Sequence, residues 1–354
     1  MREIVYDLQP FGRCDYDEVT EEFVSLFASK YGESVSLYRF GNAGHPPASD
    51  LDLALVLADD MSPRKAREAV ADAKRFVRSD ARTRYLFMHG ILIYTPELFV
   101  RHPLVHVTID LRHLYGPAFT VSDCEERQAC RDLRFVSYAT SALRYLEWLQ
   151  RQKRTGLRAV LKGLQHAYHQ FRLVDDSEAQ SVCGDLAAFR QEMIAGKWSG
   201  AKEKALLGYF TPLAARFRQM YAGEMNRLAE RVFERPPVGE VLVLENRGLS
   251  RRHRLFLALA GSFATLSETE GNCYARAHRM MFPVHPRMPL PREPYLGLIR
   301  EQAKVLREFC RLHGTYGVDQ VLGPMMCYHC PVGVSRKRQL LALLQKPLLR
   351  LQGL

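Results

Sequence analysis

Two acidic residues, Asp50 and Asp52, stand one position apart in the stretch SDLDLALVL, which is otherwise almost wholly apolar. On a β-strand, residues i and i+2 project from one face with their backbones about 6.5 Å apart, so the two side chains would point together. Adjacent carboxylates oppose each other's ionisation, and burying them is costly unless cations neutralise them. A divalent cation meets that need. Magnesium takes oxygen ligands while keeping part of its water or phosphate shell, and a carboxylate pair can bridge two such ions about 3.5 to 4 Å apart. The plain alternative is a strand end carrying solvated acids, Ser-Asp being a common turn pair.

Three neighbouring features favour the metal reading. Phe40-Gly41-Asn42 follows a strand-like run and precedes Asp50 by eight residues. The glycine there allows a close backbone turn whose amides can face a phosphate. The connecting AGHPPAS is small, kinked and loop-like, and a further lone acid, Asp110, interrupts the alternating run LVHVTIDL.

Other chemistry-bearing residues carry weaker signals. Cys327-x-x-Cys330 brackets His329, but no second pair stands at finger-like spacing, and a zinc site would need distant ligands such as His313 or Cys310. Buried thiols are the better account. Two basic clusters, Arg247, Arg251, Arg252 and Arg254, and Arg151, Lys153, Arg154, Arg158 and Lys162, read first as solvated helix faces and second as contacts for an anionic acceptor or a triphosphate tail. His45, His106 and His113 are isolated and receive no role. The closing SRKRQLLALLQKPLLRLQGL is basic and leucine-rich, and packing against other helices is the commoner fate of such a segment than a membrane surface.

The elements that must position these residues alternate over the first 117 positions. Asp17 to Lys30 has an amphipathic helical period, Ser36 to Phe40 is a short strand, and Ser62-Pro63 opens a helix reaching Val77. Tyr85 to Tyr94 and Val105 to Leu111 are strand-like. From about residue 131 the period is helical, as in Leu157, Leu161, Leu164, Tyr168 and Phe171, in Leu213 to Val232, and in Tyr295 to Leu312, where Gly314 predicts a stop. Glu240 to Leu244 is a lone strand candidate, and MFPVHPRMPLPREP is too proline-rich for a helix. The expected fold is α+β: a domain of residues 1–117 with a small mixed sheet and flanking helices, then a mainly helical region, 118–354.

Charge follows the same division. Residues 1–117 carry 14 Lys and Arg against 17 Asp and Glu, whereas the rest carries 36 against 22, so the net +11 belongs to the C-terminal part. Such a surface attracts anionic partners without choosing among nucleotide, nucleic acid and acidic lipid. Aromatic residues are not interleaved with the basic ones as a single-strand platform requires. The eight cysteines are irregularly spaced and read as reduced, mostly buried thiols. No apolar leader opens the sequence, and its longest nearly uninterrupted apolar run, Leu255 to Leu266, is too short to cross a bilayer. A cytoplasmic protein is expected.

Gly41-Asn42, then Asp50-Leu51-Asp52 with Leu53-Ala54-Leu55-Val56, then Asp110 within Thr108-Ile109-Asp110-Leu111, resembles the pattern of the polymerase-beta-type nucleotidyltransferase superfamily over the first 115 residues or so. That pattern is a strand, Gly-Ser, a loop, Asp-apolar-Asp on a second strand and an acid on a later one. The resemblance implies Asp50, Asp52 and Asp110 as catalytic and metal-binding residues, Gly41 and Asn42 as nucleotide-binding, and two Mg²⁺ ions, with Mn²⁺ a substitute. It implies transfer of a nucleoside monophosphate from an NTP, ATP first, to an acceptor hydroxyl, with release of pyrophosphate. A small-molecule or protein hydroxyl is expected ahead of RNA. Asn42 departs from the pattern: an amide donor on a longer side chain stands where a serine hydroxyl is usual. The other reading is a catalytically degenerate regulator that binds nucleotide or RNA.

Overall fold

The computed structural model describes residues 3–41, 46–87, 90–105, 111–121, 128–132, 146, 149–150, 152–171, 177–195, 198–232 and 292–316. In chain order these form β1 (Glu3–Val5), α1 (Arg13–Tyr31), β2 (Val35–Phe40), β3 (Asp52–Leu57), α2 (Pro63–Phe76), α3 (Ala81–Leu86), β4 (Leu92–Tyr94), α4 (Pro96–Val100) and α5 (His102–Val105). Then follow β5 (Leu111–Tyr115), β6 (Arg154–Gly156), α6 (Leu157–Phe171), α7 (Ser177–Ala195), α8 (Gly200–Val232) and α9 (Tyr295–Tyr316). The expected mixture of a small sheet with many helices is present.

The principal sheet has four strands in the order β4-β3-β2-β5, with β2 antiparallel to both neighbours and β3 parallel to β4. Strand β3 reads as a nearly continuous apolar run because helices cover both of its faces. Leu53, Leu55 and Leu57 pack with α1 and α2, through Val19, Phe23, Phe27, Ala66, Ala69 and Val70. Ala54 and Val56 turn the other way, toward Leu98 and Phe99 of α4 and toward Tyr295, Leu298, Val305 and Phe309 of α9. A helix about 200 residues downstream therefore builds one wall of the N-terminal sheet.

Local chemistry explains the helix ends. Ser62 caps α2 by accepting from the Lys65 amide at 3.3 Å, with Pro63 first in the helix, as the sequence predicts. Asp80 does the same for α3, accepting from the Thr83 amide at 2.7 Å. That cap corrects the strand expected over Tyr85 to Tyr94: Tyr85 and Leu86 finish a helix, and only Leu92–Tyr94 is extended. The strand expected over Val105 to Leu111 is also displaced, since α5 runs to Val105 and β5 begins at Leu111; residues 106–110 lie outside the described residues. Helix α9 passes Gly314 and ends at Tyr316, whose carbonyl accepts from Lys74 Nζ at 2.8 Å. This cation at the C-terminus replaces the expected glycine stop.

Strand β4 is an edge whose amides would be exposed to pairing. His313 of α9 closes it: its Nε2 accepts from the Ile93 amide at 3.1 Å, while Nδ1 lies 2.9 Å from the Phe309 carbonyl. A second, two-stranded sheet joins β1 and β6 in parallel and leads into α6. Asp7 caps that helix, its Oδ1 accepting from the Arg158 amide at 2.8 Å. A Cβ on Gly156 would press on the Asp7 carboxylate, so a larger residue there would have to displace this cap. Glu203 of α8 accepts from the Ile4 amide at 2.7 Å and fixes β1 from the other side.

The cysteines depart from expectation at two places. Cys14 is an exposed free thiol, and Cys130, buried against the α9 side of the sheet, is disulfide-bonded. Among the described residues, no helix is long and apolar enough to cross a membrane. The strand candidate Glu240 to Leu244, the proline-rich run up to Pro291, the cluster Arg247 to Arg254, Cys327, Cys330 and the basic C-terminal segment lie outside the described residues.

Candidate active site

Strand β2 ends at Phe40 and is followed by Gly41 at φ 75°, a left-handed conformation that favours glycine. The close backbone turn expected at Gly41 is thus present. Asn42 and His45 lie outside the described residues. Directly across from Phe40 on β3 is Asp52, the first residue of its strand. On the other side of Phe40 the register places Leu111, so Asp52, Phe40 and Leu111 form one row over three strands. Asp110 is the chain neighbour of Leu111 and itself lies outside the described residues.

Asp50 is not on the strand. It lies two residues before the start of β3, and this corrects the expectation that both acids stand on one strand. The approach to β3 is held from several directions. Tyr16 donates its hydroxyl to the Ser49 carbonyl at 2.7 Å, and Tyr85 donates to the Pro47 carbonyl at 2.8 Å. Arg158 of α6 donates Nη2 to the Ser49 carbonyl at 2.7 Å, Nε to the Ala48 carbonyl at 3.4 Å and Nη1 to the Tyr85 carbonyl. Its guanidinium also lies over the Tyr85 ring, 3.8 Å from the centroid. One buried cation thereby satisfies carbonyls from two separate segments.

One turn further along α6, Lys162 donates Nζ to Asp50 Oδ2. The two side chains are 6% and 12% exposed, so the pair is largely shielded from water. Arg158 and Lys162 therefore contradict the reading of their cluster as a solvated face. Their i, i+4 spacing puts both on one side of α6, beside the buried stripe of Leu157, Val160, Leu161 and Leu164. That position at the border of an apolar stripe was the sequence signal for both.

The electrostatics single out Asp52. Burial first, and then the neighbouring Asp50 charge, push its carboxyl well above the ordinary range, with Lys162 opposing. Tyr16 is also raised, chiefly by burial, with Arg158 opposing. The Ser49 hydroxyl, one residue from Asp50, is buried without a hydrogen-bond partner. Two neighbouring carboxylates, of which Asp50 is bonded to Lys162, together with that hydroxyl offer the oxygen ligands that a hard divalent cation prefers. Asp50 and Asp52 thus fit the expected Mg²⁺ in donor type. Among the described residues, no group of three His, Cys, Asp or Glu side chains could hold a metal. The expected third member, Asp110, falls outside that set. His313, considered as a zinc ligand, is instead committed to the β4 edge and the Phe309 carbonyl.

No family model matches the chain, and no curated protein or solved structure proved similar to it.

Proposed function

We propose that the chain is a nucleotidyltransferase that moves a nucleoside monophosphate from an NTP to an acceptor hydroxyl. The observation that carries this reading is the juxtaposition of the left-handed Gly41 at the end of β2 with Asp52 at the start of the adjacent strand, Asp50 being held two residues before it. In this reading Asp50, Asp52 and Asp110 are the residues that hold Mg²⁺. Bound there, the ions stabilise the entering and leaving oxygens of an in-line displacement. The Gly41 turn offers backbone amides to the phosphates, and Asn42 adds an amide donor. Asp110 accepts the proton of the acceptor hydroxyl. The new bond joins that oxygen to the α-phosphorus, the bond from the α-phosphorus to the bridging oxygen breaks, and pyrophosphate leaves.

The basic C-terminal part supplies the acceptor's surroundings, and a small molecule or a protein hydroxyl is the favoured acceptor class. Incubation of the full chain with α-labelled NTPs, Mg²⁺ and cell extract should give a labelled product that vanishes in Asp52→Asn. Persistence of labelling in that variant would defeat the assignment. One observation favours the second reading, a non-catalytic nucleotide- or RNA-binding protein: Lys162 already neutralises Asp50. Salt-sensitive retention of RNA with no labelled product would select it.

A further inference from the structure

A cation is already present at the candidate metal site. Lys162 reaches Asp50 from α6, about 110 residues away in the chain, and both side chains are buried to nearly nine-tenths or more. Its position is over-determined. Arg158, one turn earlier, is fixed by three carbonyls, and its own amide is held by Asp7 at 2.8 Å. The start of α6 is therefore pinned to the segment that carries Asp50. An ammonium delivered this way is built into the site. An ordinary surface pair would leave both partners free to part at little cost.

The charges then decide what the site accepts. With both carboxylates ionised, Asp50, Asp52 and Lys162 together carry one net negative charge. A bare divalent ion would sit beside an ammonium and leave an excess positive charge. A divalent ion accompanied by a polyphosphate brings its own negative charge and leaves the ammonium a partner. We propose that Lys162 is a resident counter-ion that a divalent cation must displace from Asp50, so that it suppresses binding of metal alone and favours metal arriving with a polyphosphate. This rests on the metal-site reading of Asp50 and Asp52 given above. It adds that Asp50 is neutralised at rest by Lys162 and that the site discriminates between a free ion and an ion–polyphosphate complex.

Two binding measurements on the full chain test the idea without requiring turnover. Mn²⁺ alone is titrated with its free fraction read by electron paramagnetic resonance, and retention of radiolabelled inorganic tripolyphosphate is measured at saturating Mn²⁺. Lys162→Gln retains a donor for Asp50 and removes the charge; Lys162→Met removes both. Either variant should bind Mn²⁺ alone at least tenfold more tightly than the native protein, since opposition by a fixed like charge at contact range is lost. The same variants should retain tripolyphosphate at least fivefold less well. Effects of opposite sign exclude a mere structural lesion, which would weaken both. Unchanged or weaker Mn²⁺ binding in folded Lys162→Gln overturns the proposal while leaving the metal site standing. Native protein and variants that all fail to bind Mn²⁺, or binding that survives Asp50→Asn with Asp52→Asn, overturn the metal reading and this inference with it.

Discussion

Asp72 of α2 and Asp52 of β3 are aspartates in the same part of the chain, and the fold treats them in opposite ways. Asp72 is 6% exposed and receives Lys30 Nζ at 2.7 Å, the Tyr31 hydroxyl at 2.6 Å and Arg75 Nη2. Burial alone would raise its pKa, but those hydrogen bonds and the Lys30 and Arg75 charges win, and it is held below the ordinary range. Asp52 lacks that compensation among the described residues: the charges that act on it there are another carboxylate and a lysine already bonded to that carboxylate, and its pKa is raised. A carboxylate supplied with three donors ties α1 to α2. One left short of positive charge is suited to receiving a cation from outside.

Breaking this contrast starts with paired isosteric variants. Asp52→Asn should lower metal-dependent nucleotidyl transfer by about 10³-fold or more, the scale seen when a group that stabilises transition-state charge is removed. Its thermal midpoint should not fall. Asp72→Asn should do the reverse. It leaves the solvent-exposed Lys30 and Arg75 around a neutral amide, and loss of their charge-assisted hydrogen bonds to the buried carboxylate costs up to about 3 kcal/mol, read by urea denaturation, with Mn²⁺ affinity unchanged. If both variants lose stability equally, the two sites are of one kind and the functional reading of Asp52 fails.

A third buried titratable group sharpens the comparison. His313 is fully buried, and its pKa is pushed down to about 4 by burial, with the Phe309 carbonyl opposing. Its Nε2 must stay unprotonated to accept from the Ile93 amide. The unfolded chain binds a proton near pH 6.5 and the folded one only near 4, so stability falls as pH drops through that window and levels off below it. The expected loss is about 3 kcal/mol from this residue. Urea midpoints at pH 7, 5.5 and 4.5, native against His313→Gln, check it: the variant starts lower and shows a shallower dependence. The Asp72 network, whose carboxyl is held low, should survive through most of the same window.

Much of this architecture was legible because apolar periodicity reports what packing demands. The α1 stripe through Val19, Phe23 and Phe27, the Ser62-Pro63 start of α2 and the two-faced apolar run of β3 all carry their reasons locally, although Leu26, which the same period assigns to that side of α1, is exposed. The failures were non-local. Tyr85 and Leu86 have strand-like composition, yet Asp80 caps them into a helix. Lys162 and Arg158 looked solvated because nothing within α6 says that residues 48–50 and the Tyr85 carbonyl press against that side. The Asp-x-Asp spacing drew attention to the acidic pair, but could not show that only Asp52 enters the strand. A burial cost is visible in a sequence, whereas the distant partner that offsets it is not.

The smallest effect is also the most diagnostic, because it concerns stability without activity. Asp52 is disfavoured as an anion by burial and by Asp50, so ionising it in the folded chain costs free energy. Asp52→Asn removes that cost while keeping shape and hydrogen-bonding capacity, and should raise the unfolding free energy by about 1 kcal/mol in metal-free buffer. Adding Mn²⁺ should then stabilise the native protein and leave the variant nearly unmoved, since a ligand stabilises only the state that binds it. The two melting curves should therefore approach or cross as the ion is added. For Asp72→Asn the curve should lie below the native one at every Mn²⁺ concentration. A destabilised Asp52→Asn in metal-free buffer would mean that Lys162, or some group outside the described residues, already satisfies Asp52, and that its charge serves the fold in the way the Asp72 charge does.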